Sequence, residues 1–262
     1  MTQTANDLLH EIFACPNVSR CLSQENSLCP CAGIVRSQGK NDFQRPEPWS
    51  GNLDKSKILF ISPRPSIDPD ELYPVLDSPD WPDDRISDFF MNRFQGEHKQ
   101  WVNDDLCVLR KNGKYGERSV QTWEGIGHLA EELLGKMARF GIDFTLTHVV
   151  HCKSTEQKLA TKAASECAGK YNYLSRIIEN NKEIKIIIVL GNDAKDQIIK
   201  YVLKLKTAEL GDKNPFCSCI GDRKRAFVFV PSPSARCSDY GKSIKGNISD
   251  NDFKMLKSLL HS

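Results

Sequence analysis

Long apolar runs are missing from this chain, and no stretch approaches the roughly 20 residues that cross a bilayer as a helix. The opening residues, MTQTANDLLHEIFAC, have neither the basic region nor the apolar core of a secretory leader, so a reducing cytoplasmic compartment is expected. Excess charge of one sign is also missing. The net charge is only +2, so no global basicity marks a nucleic-acid partner. Such a partner would have to be met by local stretches such as VLRKNGKYGER and GDRKRAFV. Internal repeats and low-complexity tracts are lacking, which excludes solenoids and leaves no obvious linker. With 39% hydrophobic and 27% charged residues over 262 positions, the balance is that of a globular protein, expected to be one monomeric domain.

Cysteine is what the chain has in excess, with ten residues. Structural disulfides are rare in a reducing compartment, so clustered thiols point first to metal ligation. Cys107, Cys217, Cys219 and Cys237 read as small buried hydrophobes. Cys15, Cys21, Cys29 and Cys31 lie in a polar stretch and match no zinc-finger spacing, which leaves open which of them ligate.

Four short apolar runs, 57–62, 144–150, 185–190 and 226–230, read as strands buried on both faces of a parallel sheet. Helical periodicity fills 121–140, 160–180 and 192–205 between them. The alternation predicts an α/β fold, a three-layer αβα domain around a four-stranded parallel sheet. Residues 1–50 form a cysteine-rich N-terminal segment of this single domain. Residues 65–118 are an insertion, with a helix near 84–94.

Ligands of open α/β sheets bind outside the carboxyl ends of the strands. The first strand is followed there by Ser62-Pro63-Arg64-Pro65-Ser66, and the second by His151-Cys152-Lys153-Ser154. The third is followed by Gly191-Asn192-Asp193, and the fourth by Pro231-Ser232-Pro233-Ser234-Ala235-Arg236. Two rigid Pro/Ser loops facing one another make a preorganised cleft whose hydroxyls, amides and arginines can hold phosphate.

The order and content of these segments, ILFISPRPS, HVVHC with a further cysteine at 167, LGNDA and SPS, resembles the iron–sulfur branch of the uracil-DNA glycosylase superfamily. The resemblance runs through nearly the whole chain. It implies a uracil-DNA-glycosylase-like fold and a 4Fe–4S cluster held by Cys152, Cys167 and two N-terminal thiols, Cys15 and Cys31 being favoured. Zinc is the rival occupant of the same thiolates. It also implies DNA as partner, with a base flipped into a pocket and its N-glycosidic bond hydrolysed to leave an abasic site.

Three positions depart from the family pattern. Pro63 stands where a carboxylate or Asn is common, His148 where an Asn reads uracil, and Ser232 where a His stabilises the departing base. The expected substrate is therefore a damaged or modified base, such as a modified cytosine in phage DNA, with antiviral defence as one purpose and DNA repair as another. The alternatives are conventional uracil excision by substitute residues and a catalytically silent iron–sulfur nucleic-acid-binding protein. Glycosidic cleavage needs a carboxylate or positioned water beside the sugar and a donor beside the base. Asp68 and Asp70 (with Glu71 beside them), His148 and Ser232 are the catalytic candidates. Ser62, Pro63, Arg64, Tyr73, Ser234 and Arg236 are the substrate-binding candidates, Tyr73 as a stacking ring, with Lys153 as a further phosphate contact.

Overall fold

A computed structural model describes residues 4–23, 28–38, 42–95, 100–154 and 156–261. Strands β1 (Trp49–Ser50), β2 (Ile58–Ser62), β3 (Phe144–His148), β4 (Ile186–Leu190), β5 (Phe216–Ile220) and β6 (Arg223–Val230) form one sheet in the order β1-β3-β2-β4-β6-β5. The central four run parallel. β1 pairs antiparallel with β3 at one edge, and β5 pairs antiparallel with β6 at the other.

The sheet is therefore six-stranded and mixed, which corrects both the four-stranded parallel sheet expected from the apolar runs and the uracil-DNA-glycosylase-like form of it that the resemblance implied. Each added strand escapes a search for such runs for a physical reason. β1 is two residues long. β5 reads FCSCI, with Cys217 and Cys219 exposed, so it has no continuous apolar character. Antiparallel edges with one solvated face alternate in this way, whereas central parallel strands do not.

The helices in chain order are α1 (Ala5–Phe13), α2 (Pro16–Leu22), α3 (Ala32–Arg36), α4 (Asp83–Asn92), α5 (Gln121–Leu134), α6 (Gln157–Ala164), α7 (Tyr173–Asn180), α8 (Asn192–Gln197), α9 (Thr207–Leu210), α10 (Asp239–Lys242) and α11 (Asp250–His261). Side chains alternate across a strand, and both sets are apolar here. Leu59, Ile61, Ile187, Val189, Phe227 and Phe229 pack into one core with α1, α4, α6 and α7. Ile58, Phe60, Ile186, Ile188, Val228 and Val230 pack into the other with α5 and α11. The expected helix over 160–180 is interrupted. A π-turn, Ser165–Lys170, follows α6, and α7 restarts after Asn172 in the left-handed region at φ 53°.

The parallel register positions the site. It places Ser62 opposite His148 at the carboxyl ends of β2 and β3. Beyond that pair, the Val149 and Val150 amides donate to the Ser62 and Pro63 carbonyls at 2.9 and 3.1 Å, so the two post-strand loops leave together.

Candidate functional site

A cavity of about 630 Å³ opens at the carboxyl ends of the parallel strands. All four post-strand segments reach it, through Ser62–Ser66, Lys153, Gly191–Asp193 and Pro231–Ala235. Gly191 turns the chain from β4 into α8 at φ +83°, a conformation that favours glycine. The last loop is seated by another glycine. A Cβ at Gly125 of α5 would lie 2.5 Å from Pro233 Cβ, so only hydrogen there lets the Ser232 loop lie against the helix.

The buried wall carries two linked groups of charges. In the first, Ser62 Oγ and His148 Nδ1 lie 2.7 Å apart, and His148 Nε2 is 3.5 Å from Glu47 Oε1. Glu47 Oε1 also accepts from the Ser50 hydroxyl at 2.8 Å, and Oε2 accepts from Tyr73 at 3.4 Å. In the second, Lys153 Nζ donates to Glu71 Oε2 at 2.9 Å, and Arg93 Nη2 lies 3.6 Å from Glu71 Oε1. All four charged residues are buried. Burial opposes ionisation of Glu47, but Arg93, His148 and Lys153 overcome it and hold the carboxyl below the usual carboxylate range.

Glu47 stands in an irregular segment ahead of β1 and is fixed by His151. The Glu47 amide donates to the His151 carbonyl at 2.8 Å, and His151 Nδ1 lies 2.8 Å from the Glu47 carbonyl oxygen. Burial is the main cause that pushes the His151 imidazole down to about 4, so it is neutral and donates from Nδ1.

Ser62, Pro63, Arg64, Asp68, His148, Ser232 and Ser234 from the sequence-derived set line this cavity. Ser232 and Ser234 pair through their hydroxyls at 2.9 Å. Asp70 lies outside it, exposed in a turn where its amide donates to Asp68 Oδ1. Arg236 is exposed and also outside the lining. Tyr73 is buried against Phe89 and Phe90, with Lys153 Nζ 3.6 Å above its ring, so it packs in the core and does not present a stacking face. The aromatic ring that lines the cavity is Trp123, at the start of α5. Glu47, Arg93 and Trp123 were absent from the sequence-derived set. They lie far from the strand ends in sequence, and no local motif marks them.

The cysteines correct the cofactor expectation. Among the described residues, no group of three or more His, Cys, Asp or Glu side chains is arranged to hold a metal ion, and all ten cysteines are free. Cys15, Cys31, Cys152 and Cys167 are buried in the core on the α1, α4, α6 and α7 side of the sheet. A hydrogen bond that the protonated Cys31 thiol makes with Cys167, followed by burial, raises the Cys31 thiol. Burial raises Cys152 well above the thiol range, and raises Cys21, hydrogen-bonded to Cys29, to about 12. Protonated thiols in apolar surroundings pack as small hydrophobes. Neither the iron–sulfur cluster nor zinc fits this arrangement, and Cys15, Cys31, Cys152 and Cys167 are core residues here.

No helix among the described residues is long and apolar enough to cross a membrane. No protein-family model matches the sequence, and no curated protein aligns with it significantly.

Proposed function

We propose that this chain is a DNA glycosylase, related to the uracil-DNA glycosylase superfamily, that flips a damaged or modified base into the strand-end cavity and hydrolyses its N-glycosidic bond. The observation that carries this reading is a buried, ionised carboxylate, Glu47, lining a cavity framed by two Pro/Ser loops. Cleavage of the bond builds positive charge on the sugar and negative charge on the base. A carboxylate that stays ionised while shielded from water stabilises the sugar cation or orients the attacking water. Glu47 takes this role in place of the carboxylate that Pro63 displaces from the first loop. Ser62 and His148 form the adjoining hydrogen-bonded pair. The single Ser62 hydroxyl proton is directed either to His148 Nδ1 or to the Arg64 carbonyl, 3.2 Å away. The Ser232–Ser234 loop and Arg64 receive the flanking phosphates, and Trp123 supplies an apolar wall for the extruded base.

The test is direct. Purified protein is incubated with oligonucleotides bearing uracil, hypoxanthine or modified cytosine, and with naturally modified phage DNA, and abasic sites are revealed by alkaline cleavage. The expected result is abasic product from at least one of these, reduced about a hundredfold or more by Glu47→Gln. No product from any of them would overturn the reading.

A further inference from the structure

The buried wall contains hydrogen-bond donors without partners, on Arg93. Both oxygens of Glu71 face cations, Oε1 toward Arg93 and Oε2 toward Lys153. Both oxygens of Glu47 accept hydroxyl protons, from Ser50 and Tyr73. Each carboxylate oxygen thus already has a partner. Arg93 is engaged through Nη2 alone: it lines the cavity at 1% exposure, and its Nε and Nη1 have no hydrogen-bond partner. Phe89, Trp123 and Phe94 lie 4.9, 4.7 and 5.2 Å from the guanidinium carbon. Aromatic rings attract the cation through their faces, but they accept nothing from its in-plane N–H groups. A guanidinium has donors only, so the missing partner must be an acceptor. Buried polar groups left unpaired are rare enough to require an explanation, and an absent ligand is one.

The charge balance limits what that acceptor is. Two buried cations, Arg93 and Lys153, face two buried carboxylates, Glu47 and Glu71. A ligand anion would unbalance this set inside a poorly solvated wall, where an uncompensated charge is costly. A neutral oxygen would complete it.

We infer that Arg93 is the specificity-determining donor of the cavity and reads a neutral carbonyl oxygen on the ring of the ligand, beside the Trp123 side chain. This rests on the glycosylase reading only where the ring is called a base. For a flipped base, it favours an oxo-bearing edge over an amino-bearing one. That narrows the candidates away from bases that present an exocyclic amine to Arg93.

Free uracil, cytosine and orotate are sufficient probes: uracil and cytosine share O2 and differ along the C4 edge, O4 with N3–H against the amine with a bare N3, and orotate adds one carboxylate to uracil. Titrations of the intact protein, followed by calorimetry or ligand-observed NMR, are expected to show uracil binding roughly tenfold tighter than cytosine, as one satisfied buried donor implies. Orotate should bind no tighter than uracil. Arg93→Met should bring uracil and cytosine to within about twofold of each other, and Arg93→Lys should restore part of the preference. Equal affinity in the unsubstituted protein, no binding of either base, or tightest binding of orotate would each overturn the inference, and none of these depends on a variant folding. A uracil preference that persists without any abasic product from DNA would retain the subsite and remove the glycosylase reading.

Discussion

Glu47 shows how a single residue in an irregular segment acquires a role through what surrounds it. Its backbone is tied to His151, its carboxylate to Ser50 and Tyr73, and its charge to Arg93 and His148. Glu47→Gln keeps the shape and removes the charge, so under the proposed glycosylase reading base release should fall about 10²–10⁴-fold, the range for a positioned acid–base group. Single-turnover excision at saturating protein measures this and separates chemistry from binding. Glu71 makes a different prediction. It is the counter-charge that both Lys153 and Arg93 face, and Glu71→Gln leaves two buried cations short of a partner. Breaking a buried pair in this way costs about 3–5 kcal/mol. The urea midpoint should therefore drop at unchanged slope, as expected when stability falls without a change in the unfolded state.

Among elements, the contact between α5 and the last post-strand loop is the most sensitive to sequence. Gly125→Ala improves helix propensity by up to about 1 kcal/mol. It also places a methyl 2.5 Å from Pro233 Cβ, so the Pro231–Ala235 loop must move. The expected result is a near-unchanged or lower melting temperature with, under the proposed reading, at least a several-fold loss of DNA or base affinity, measured in parallel on one preparation. The same elements show what the sequence made visible. Strands β2, β4 and β6 announce themselves through continuous apolar runs and β3 (FTLTH) through its β-branched and aromatic residues, and the Ser62, His148 and Ser232 positions follow because cavities form at strand ends. β1 and β5 do not, since edge strands need neither length nor a second apolar face. Arg93 and Glu47 reach the cavity only by tertiary packing of α4 and the segment before β1, which no local pattern encodes. The cysteines mislead for a related reason. Sequence gives the number of thiols but not their arrangement, and the burial that raises Cys31 and Cys152 is a tertiary property. Native-state alkylation should accordingly label Cys217, Cys219 and Cys237, which are exposed, and spare Cys31, Cys152 and Cys167 until urea is added. Peptide mass spectrometry gives the answer site by site.

Across the whole molecule, the buried charges of the site set how stability responds to acid. His151 is neutral in the folded chain because burial depresses its pKa from 6.5 to about 4. The unfolded chain takes up this proton first. The stabilising contribution of a neutral His151 is therefore complete above pH 6.5, declines as pH falls below it, and is lost by about pH 4. A depression of this size corresponds to on the order of 3 kcal/mol. Glu47 then continues the trend. Its folded pKa also lies below its ordinary value of 4.5, so its contribution is present above that pH and is lost as pH falls further. Two successive losses are expected as a urea-midpoint series is carried from pH 8 downward, the first between 6.5 and 4 and the second below 4.5. His151→Gln removes the first titration and, at neutral pH, weakens the brace that holds the Glu47 backbone. The variant should start less stable than the unsubstituted chain, yet lose less between pH 6.5 and 4, so the two curves converge on acidification. Parallel curves over that interval would show that His151 carries no buried-proton linkage, and that Glu47 is held in place by its other partners alone.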